Sequence, residues 1–600
     1  MSATGFMLKA LLLFSILQLT LGVFGSPLAR HLVTELVDEH LLDRRQSSSN
    51  GTVVVTGVTG FGAQPRQEIR QLQKNADQWN LYLLGMHRFM ATNESDKMSY
   101  YQIAGIHGRP YVAWDNVQAA PGINNPGYCA HVSNLFLTWH RPYLALFEQA
   151  LYQHVVAAVN EFPSGPIRQR YAQAALAFRM PYWDWATAPP PGQSVWPSSL
   201  TSPTVTVTMP NGTNTIPNPL YSYRFNPIRP DDMYFNPFAT WPETMRYPTD
   251  WNLTAKSQPE LIGPVLDNNR VSFMDRLYNL FTNYDNFTEF GNEAWMHGGV
   301  QNADSLESIH DIIHGIVGSQ GHMTYLDYSA FDPVFFLHHT MLDRVFALWQ
   351  VLYPDSYVQP MKAVEQTFTI PMNSVQDVNS PLDPFHTDSK GGKWTSQSAR
   401  SVTQFGYTYP ELQNNANASA VRTAINKLYG DSAGSGGIRG SPTRRWFKDH
   451  AVQEREVPTE SDSASSTAAA SGDIDDGKHR EYLANIVSQK FAMGTSYAIY
   501  IFLGDFDDDP RCYNLAPNLV GTHGVFAASA ADDDDNPQAK LVRRMEMAPI
   551  LVTGTMPLNS MLLAKVQTGE LGSMDSHDVE DYLNDKLQWR IAFVSAYMKD

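Results

Sequence analysis

The sequence predicts a mainly α fold: a four-helix-bundle core built around a pair of metal ions, with long loops, followed by a small C-terminal β-sandwich. Three observations predict it. Two stretches far apart in the chain each offer three histidines at ligand spacing: His107, His131 and His140 in one, and His310, His314 and one of His338 or His339 in the other. Four long segments of helical periodicity carry or flank these residues. Beyond Pro410 the composition turns small and polar, then into short apolar β-branched runs. With 600 residues the chain exceeds what one compact core covers, so two or more domains are expected.

The elements follow in order. Lys9 precedes an apolar run over 10–24, with Gly25 and Ser26 behind it; too short for a membrane span, residues 1–25 read as a signal peptide. Residues 26–45 end in Arg44-Arg45 and read as a pro-segment trimmed by a processing protease. No later stretch is apolar enough to span a bilayer, so a soluble, secreted protein is expected. Six sequons fit that expectation, at Asn50, Asn93, Asn211, Asn252, Asn286 and Asn417. The two cysteines, Cys129 and Cys512, are too few for a disulfide framework. A net charge of −17 without a basic face excludes nucleic acid as a partner.

Helical periodicity covers 64–90, with Pro65 where its missing N–H does no harm, then 132–159, 305–317 and 333–352. Loops rich in Pro, Asn and Gly separate these segments, above all 188–264. Such helices would present histidines inward from facing positions of a bundle. The metal-binding domain is therefore set at 46–415. Residues 416–480 read as a flexible linker, because 431–477 is rich in Ser, Gly, Ala and acids; it holds a second dibasic pair, Arg444-Arg445. Residues 481–600 form the β unit, with strand-like runs at 497–502, 524–526, 549–552 and 589–594. The acidic runs 507–509 and 532–535 read as solvated loops.

The chemistry rests on the histidines. His310 and His314, four apart, share one helix face and can bind one ion. A zinc protease would carry Glu after the first of such a pair; here Asp311 stands there. His338 and His339 point about 100° apart on a helix, and spacing alone does not choose between them. Asp343, one turn later, can orient a ligand or close an internal network. His140 belongs to a helix; His131, nine residues earlier, falls about half a turn out of line and belongs to the preceding loop. His107 comes from a separate turn before Arg109-Pro110. The absence of ligating carboxylate pairs argues against a di-iron bundle, and all-nitrogen triads favour copper. Two copper ions with open positions can share one dioxygen, which makes the bundle a dicopper core.

On these residues the chain resembles the tyrosinase family, polyphenol oxidases with a coupled binuclear copper centre related to molluscan haemocyanins. The resemblance covers roughly 53–410. It is carried by His107-Gly108-Arg109-Pro110, Trp139-His140-Arg141-Pro142-Tyr143, Pro181-Tyr182-Trp183-Asp184-Trp185 and Phe331-Asp332-Pro333-Val334-Phe335-Phe336-Leu337-His338-His339, with Asp343-Arg344 and Trp349 behind. It implies that His107, His131 and His140 bind one copper, and His310, His314 and His339 the other; the family's ligand lies four residues before the Asp, which selects His339. Cys129 would form a thioether with His131, the alternative being a free buried cysteine. Arg66 would stack on the tyrosines of Tyr407-Thr408-Tyr409-Pro410. Glu307 would hold a water near the second copper. Asp311, where Asn often stands in members that hydroxylate monophenols, would act as a base or lock onto His310. Gly315 would leave space at the cavity floor, and Leu326 would lie at the gate above the second copper unless it is a plain core leucine. The C-terminal unit would be a shielding domain with one side chain over the coppers, Tyr513 being the candidate. The expected function is oxidation of phenolic substrates to o-quinones with O2, o-diphenols first and hydroxylation of monophenols second because of Asp311, released from latency by an activating protease. A haemocyanin-like oxygen carrier is the alternative.

Overall fold

The computed structural model describes residues 51–123, 126–295, 304–430, 481–528 and 549–593. The signal peptide, the pro-segment, the Asn50 sequon, both dibasic pairs and the acidic run 532–535 lie outside them.

Five long helices form the larger unit: α1 (Ala76–Met90), α2 (Phe136–Glu161), α3 (Ile262–Asn283), α4 (Leu306–Gly318) and α5 (Val334–Leu352). Asn75 caps α1 by accepting the Gln78 N–H, and Ser305 caps α4 by accepting that of Ser308. Asp332 accepts the Val334 N–H at the start of α5, and its carboxylate is also clamped by Arg246 at 2.7 Å. Helix α2 packs against α1 and α5, and α4 against α3. Every residue of α4 is buried, so a helix bearing His310 and His314 has no solvent face, and both imidazoles are held inside.

The helical unit departs from the sequence expectation in its first helix, in α3 and in the origin of its histidines. The first expected helix does not begin at 64. Strand β1 (Gln64–Pro65) pairs in parallel with β2 (Tyr407–Thr408), and a single turn, Ile69–Leu72, precedes α1. Helix α3 was not expected. Its Pro264 marked the end of a loop-rich stretch, yet in a first turn that residue costs no hydrogen bond. The bundle does not carry histidines on four helices: α2, α4 and α5 do, while His107 and His131 come from irregular segments and α1 supplies none of the six.

Residues 416–430 are not linker. Asn417 caps helix α6 (Ala418–Tyr429), whose Val421, Ile425 and Tyr429 recur at four-residue spacing and are buried on the core. The Tyr429 hydroxyl donates to Asp184 and accepts from Arg344.

The C-terminal unit begins with β3 (Leu483–Gln489). Its three-stranded sheet has β4 (Tyr497–Leu503) between β5 (Leu519–Val525) and an edge strand at Leu587–Phe593, all antiparallel. A second sheet pairs β3 with β6 (Leu551–Pro557), and Ile486, Ile499, Val520, Val552 and Met556 of both sheets share one apolar cluster. Two helices absent from the expectation, Asn559–Thr568 and Ser576–Lys586, complete the unit, so it is not built of strands alone. Strand β5 lies directly on α4. A Cβ at Gly524 would stand 2.7 Å from Ile312 Cα, so this approach requires glycine.

Candidate metal centre and its cover

His107 follows the short helix Tyr100–Gly105 and is gripped between two backbones. A Cβ at Gly108 would meet Asp327 O at 2.5 Å, and one at Gly127 would meet His107 O at 2.3 Å. Its Nδ1 faces Leu326 O at 3.2 Å. His140 on α2 faces its own helix carbonyl, Phe136 O, at 2.7 Å; His314 on α4 faces Met323 O at 2.9 Å; and His310 faces Asp311 Oδ1 at 2.9 Å. Each partner is an acceptor, so Nδ1 carries the proton in these four rings and Nε2 is left for a metal. The Nε2 atoms of His107, His131 and His310 are fully buried without a hydrogen-bond partner, an arrangement that otherwise costs free energy. His314 Nε2 and His339 Nε2 stand 3.3 Å apart, the spacing of two nitrogens each about 2.0 Å from one tetrahedral ion.

The two sets face each other. The His131 and His310 rings are 5.6 Å apart, and the His140 and His339 rings stack at 4.3 Å. Burial pushes the imidazoles of His107, His131, His310, His314 and His339 well below their ordinary range, and that of His140 down to about 3. Neutral imidazole is the ligating form, and a dry all-nitrogen donor set fits copper. The structure also brings in His338. Its ring stacks 5.2 Å from that of His310 and lies 5.1 Å from that of His314, with both nitrogens unpartnered. Geometry therefore gathers both members of the His338-His339 pair, and the choice of His339 rests on the motif.

Cys129 Sγ lies 3.3 Å from His131 Nδ1 and 3.3 Å from His140 Nε2, a contact and not a bond. Burial holds its thiol well above the usual range and so neutral. Glu307 accepts the Val132 N–H at 2.6 Å and the Glu293 N–H at 3.1 Å, using both oxygens. Burial, then the charge of Glu293, raises it well above the usual carboxyl range. One oxygen of Asp311 meets His310, and the other accepts the Phe526 N–H at 2.7 Å. Burial pushes its carboxyl up to about 7. Gly315 is buried in α4 beside His314. Leu326 is buried but belongs to neither apolar cluster, and its carbonyl is the partner of His107. The Arg66 guanidinium stacks 3.4 Å over the Tyr407 ring. Asp343 closes an internal network, receiving Arg141 at 2.7 Å and the Tyr407 and Tyr409 hydroxyls at 2.6 Å.

The side chain that covers the histidines is Phe526, not Tyr513. Phe526 is 1% exposed and stacks on His314 at 4.3 Å and 24°, 5.7 Å from the His131 and His310 rings. Tyr513 packs instead against Tyr500, Phe502 and Phe506 in the C-terminal unit's own aromatic cluster. Nothing local in the sequence marks Phe526; in the structure Gly524 lets β5 close on α4, and the side chain two residues on reaches the helix's histidines. Sequence reasoning also missed Lys490, which pairs with Glu293 at 3.0 Å beside Glu307 and Asp311. Of the sequons, Asn93, Asn211, Asn252 and Asn417 are exposed; Asn286 is half-buried and caps a short helix with its oxygen. Among the described residues, no helix is long and apolar enough to cross a membrane.

A dry cage of neutral imidazoles under an aromatic cover is the donor set of a metalloprotein. The family described as the common central domain of tyrosinase matches residues 97–352, and the tyrosinase C-terminal domain matches 481–597. The chain is 35% identical to a tyrosinase of Neurospora crassa over 90% of each chain, and 35% identical to a tyrosinase of Podospora anserina over 86% of this chain and 97% of that one. It is 30% identical to polyphenol oxidase 2 of Agaricus bisporus over 89% of this chain and 90% of that one. Among solved structures, latent and active mushroom tyrosinase superposes with a TM-score of 0.73 at 25% identity over 91% of this chain and 92% of that one. The fold is also that of Aspergillus oryzae pro-tyrosinase, with a TM-score of 0.64 at 22% identity over 86% and 90%. The chain belongs to the tyrosinase family: it is a copper oxidoreductase that acts on phenols with O2 as acceptor.

Proposed function

We propose that this chain is a secreted, latent polyphenol oxidase that converts o-diphenols to o-quinones, with His107, His131 and His140 holding one copper and His310, His314 and His339 the other. One observation carries the reading: two facing sets of buried, neutral imidazoles, with the Nε2 atoms of His107, His131 and His310 unpartnered, and one phenyl ring, Phe526, over His131, His310 and His314. A copper pair bound there supplies dioxygen binding and electron uptake. Two o-diphenols each give up two electrons and two protons, and one O2 leaves as two waters. The chain's residues do the rest. The Phe526 ring marks where a substrate ring stacks on His314, with Gly315 beside that histidine leaving room and Leu326, held at His107 by its carbonyl, assigned to the wall. Asp311 fixes the His310 tautomer, and Glu307, one turn before His310, is assigned to holding a water beside the second set. With Asp311 spent on His310, diphenol oxidation is favoured over monophenol hydroxylation. A thioether between Cys129 and His131 would pin a ligand that has no helix beneath it. The apolar run at 10–24 and the exposed sequons support secretion. The dibasic Arg444-Arg445 supports a protease that frees the site.

Copper analysis with catechol oxidation, before and after limited proteolysis, tests this. Two coppers per chain and quinone only after cleavage are expected. Copper without quinone after cleavage would indicate an oxygen carrier, and no copper at all would end the proposal.

A further inference from the structure

The C-terminal unit ends in a strand whose apolar side chains reach no core. Strand β7 (Leu587–Phe593) pairs with β4 along its whole length without a bulge. Residues directly opposite on two antiparallel strands point to the same face, so Leu587, Trp589, Ile591 and Phe593 share a face with Leu503, Ile501, Ile499 and Tyr497. Those four β4 residues lie inside the apolar cluster that both sheets build. Their four partners on β7 belong to neither apolar cluster and are between 39% and 60% exposed. The second sheet accounts for the difference. It has two strands, β3 and β6, against three in the first, so the shared core stops at β4 and β7 overhangs it. The overhang is also unguarded. Exposed edges are normally blunted by lysine, proline, a bulge or a charge on the inner face. The one charged residue of β7, Arg590, points to the opposite face, where it pairs with Asp508 at 3.0 Å and lies over the Phe506 ring. Among the described residues, no strand pairs with the outer edge of β7.

We infer that this overhang is the docking face for a second copy of the chain, related by a two-fold axis that lays one β7 on the other. Three strands over two make a self-complementary step. A copy turned over sets its three-stranded sheet in the layer where the first has only two strands, and each β7 then covers the apolar face of the other. The four side chains leave about 400 Å² of apolar surface in water on each copy. Two copies bury about 800 Å² from these alone, and the flanking edges of β7 and β3 carry the total past the roughly 1,000 Å² that a specific contact needs. An interface that uses one patch twice closes at two copies, and it also covers an edge that would otherwise recruit any passing strand. The contact is independent of what the histidines bind.

Sedimentation velocity of the full chain over a range of concentrations tests this. Wild type should pass from monomer to dimer and no further, with a Kd of about 10 µM, as fits a contact at the small end of the specific range with a tryptophan at its centre. Trp589→Glu/Ile591→Glu should stay monomeric at about 100 µM, ten times that Kd, because each copy would press two carboxylates against the other. Ile167→Glu changes a 54% exposed position of the larger unit and should dimerise as wild type does. Added NaCl should strengthen the dimer, because the contact is apolar and two chains of net charge −17 repel until screened; weakening by salt would count against an apolar face. Should the double variant not fold, Ile591→Ser decides it, with an expected loss of affinity of about tenfold. Wild type that remains monomeric at about 100 µM, its overhang covered by another part of its own sequence, would overturn the inference. So would a dimer indifferent to substitutions on β7, or assembly that continues beyond two copies.

Discussion

Replacing Phe526 with alanine in the full chain should switch on catechol oxidation without any cleavage. A buried phenyl side chain removes about 150–250 Å² from water, worth roughly 4–6 kcal/mol at about 25 cal/mol per Å². Phe526 is 1% exposed and stacks at 4.3 Å on His314, so the lower figure is a fair measure of what its withdrawal costs. At about 1.4 kcal/mol per tenfold, the ring is out of the way in roughly one molecule in a thousand. Alanine abolishes that requirement, so quinone formation by the uncleaved chain should rise by about two to three orders of magnitude. The Phe→Ala cavity itself costs about 3–5 kcal/mol of packing, so Tm falls as activity rises. The assay is quinone absorbance from catechol on copper-loaded protein shown to be intact by gel. Tyr513→Ala serves as control: it disrupts the ring contacts with Phe502 and Phe506 and should lower stability without opening the site. A folded, copper-loaded Phe526→Ala chain as silent as wild type would refute the argument.

Gly524→Ala places a Cβ 2.7 Å from Ile312 Cα; it should push β5 off α4, raising the uncleaved chain's catechol activity and lowering its Tm, and unchanged values of both would contradict the packing. Asp343→Ala leaves Arg141 and Arg66 short of their shared carboxylate and should cost about 3–5 kcal/mol in urea unfolding at neutral pH. Burial alone would raise the Asp343 carboxyl, but Arg141 and Arg66 outweigh it and hold it below the usual range. Its stabilising share is therefore complete above the ordinary carboxyl pKa of about 4 and fades as pH falls through the lower folded value, so wild type and variant should converge at strongly acid pH. Asp311→Asn keeps a hydrogen-bond acceptor for His310 and removes the charge; the rate ratio of monophenol to diphenol oxidation in the protease-treated chain should rise, and a lower ratio would count against the locking role.

Much of the site was legible because its chemistry needs rare residues at fixed spacing. His310 and His314 had to share a face, and α4 put them there. His131, out of phase with His140, had to leave the helix, and it did. Asp343 offered two roles, and the network with Arg141, Tyr407 and Tyr409 is one of them. What was not legible has physical reasons. Pro264 looks like a terminator, yet proline is harmless in a first turn, so α3 went unseen. The linker was drawn from its low-complexity centre, which hid the i, i+4 stripe of Val421, Ile425 and Tyr429 just before it. Phe526 and Lys490 have no local signature; a phenylalanine after a strand and a lysine at a turn acquire meaning only from what lies opposite. His338 illustrates the converse, because helical geometry aims it away from His339 and the fold still encloses both.

Glu307 ties the two histidine sets into one object. It sits one turn before His310 on α4, and its Oε1 accepts the N–H of Val132, the neighbour of His131. Val132 has φ of +46°, a left-handed conformation that a β-branched residue adopts at a cost of about 1–3 kcal/mol. That strain turns the chain sharply enough for His131 to point at the cage from a loop, and a carboxylate bonded at 2.6 Å is what holds it. The same carboxylate takes the Glu293 N–H with its other oxygen, so Glu307 positions a ligand of the first set, stands beside the second, and fixes the backbone of the residue that grips Lys490. A change at Glu307 therefore cannot be read as loss of a base alone. The turn that poses His131 and the backbone of Glu293 both depend on its two oxygens.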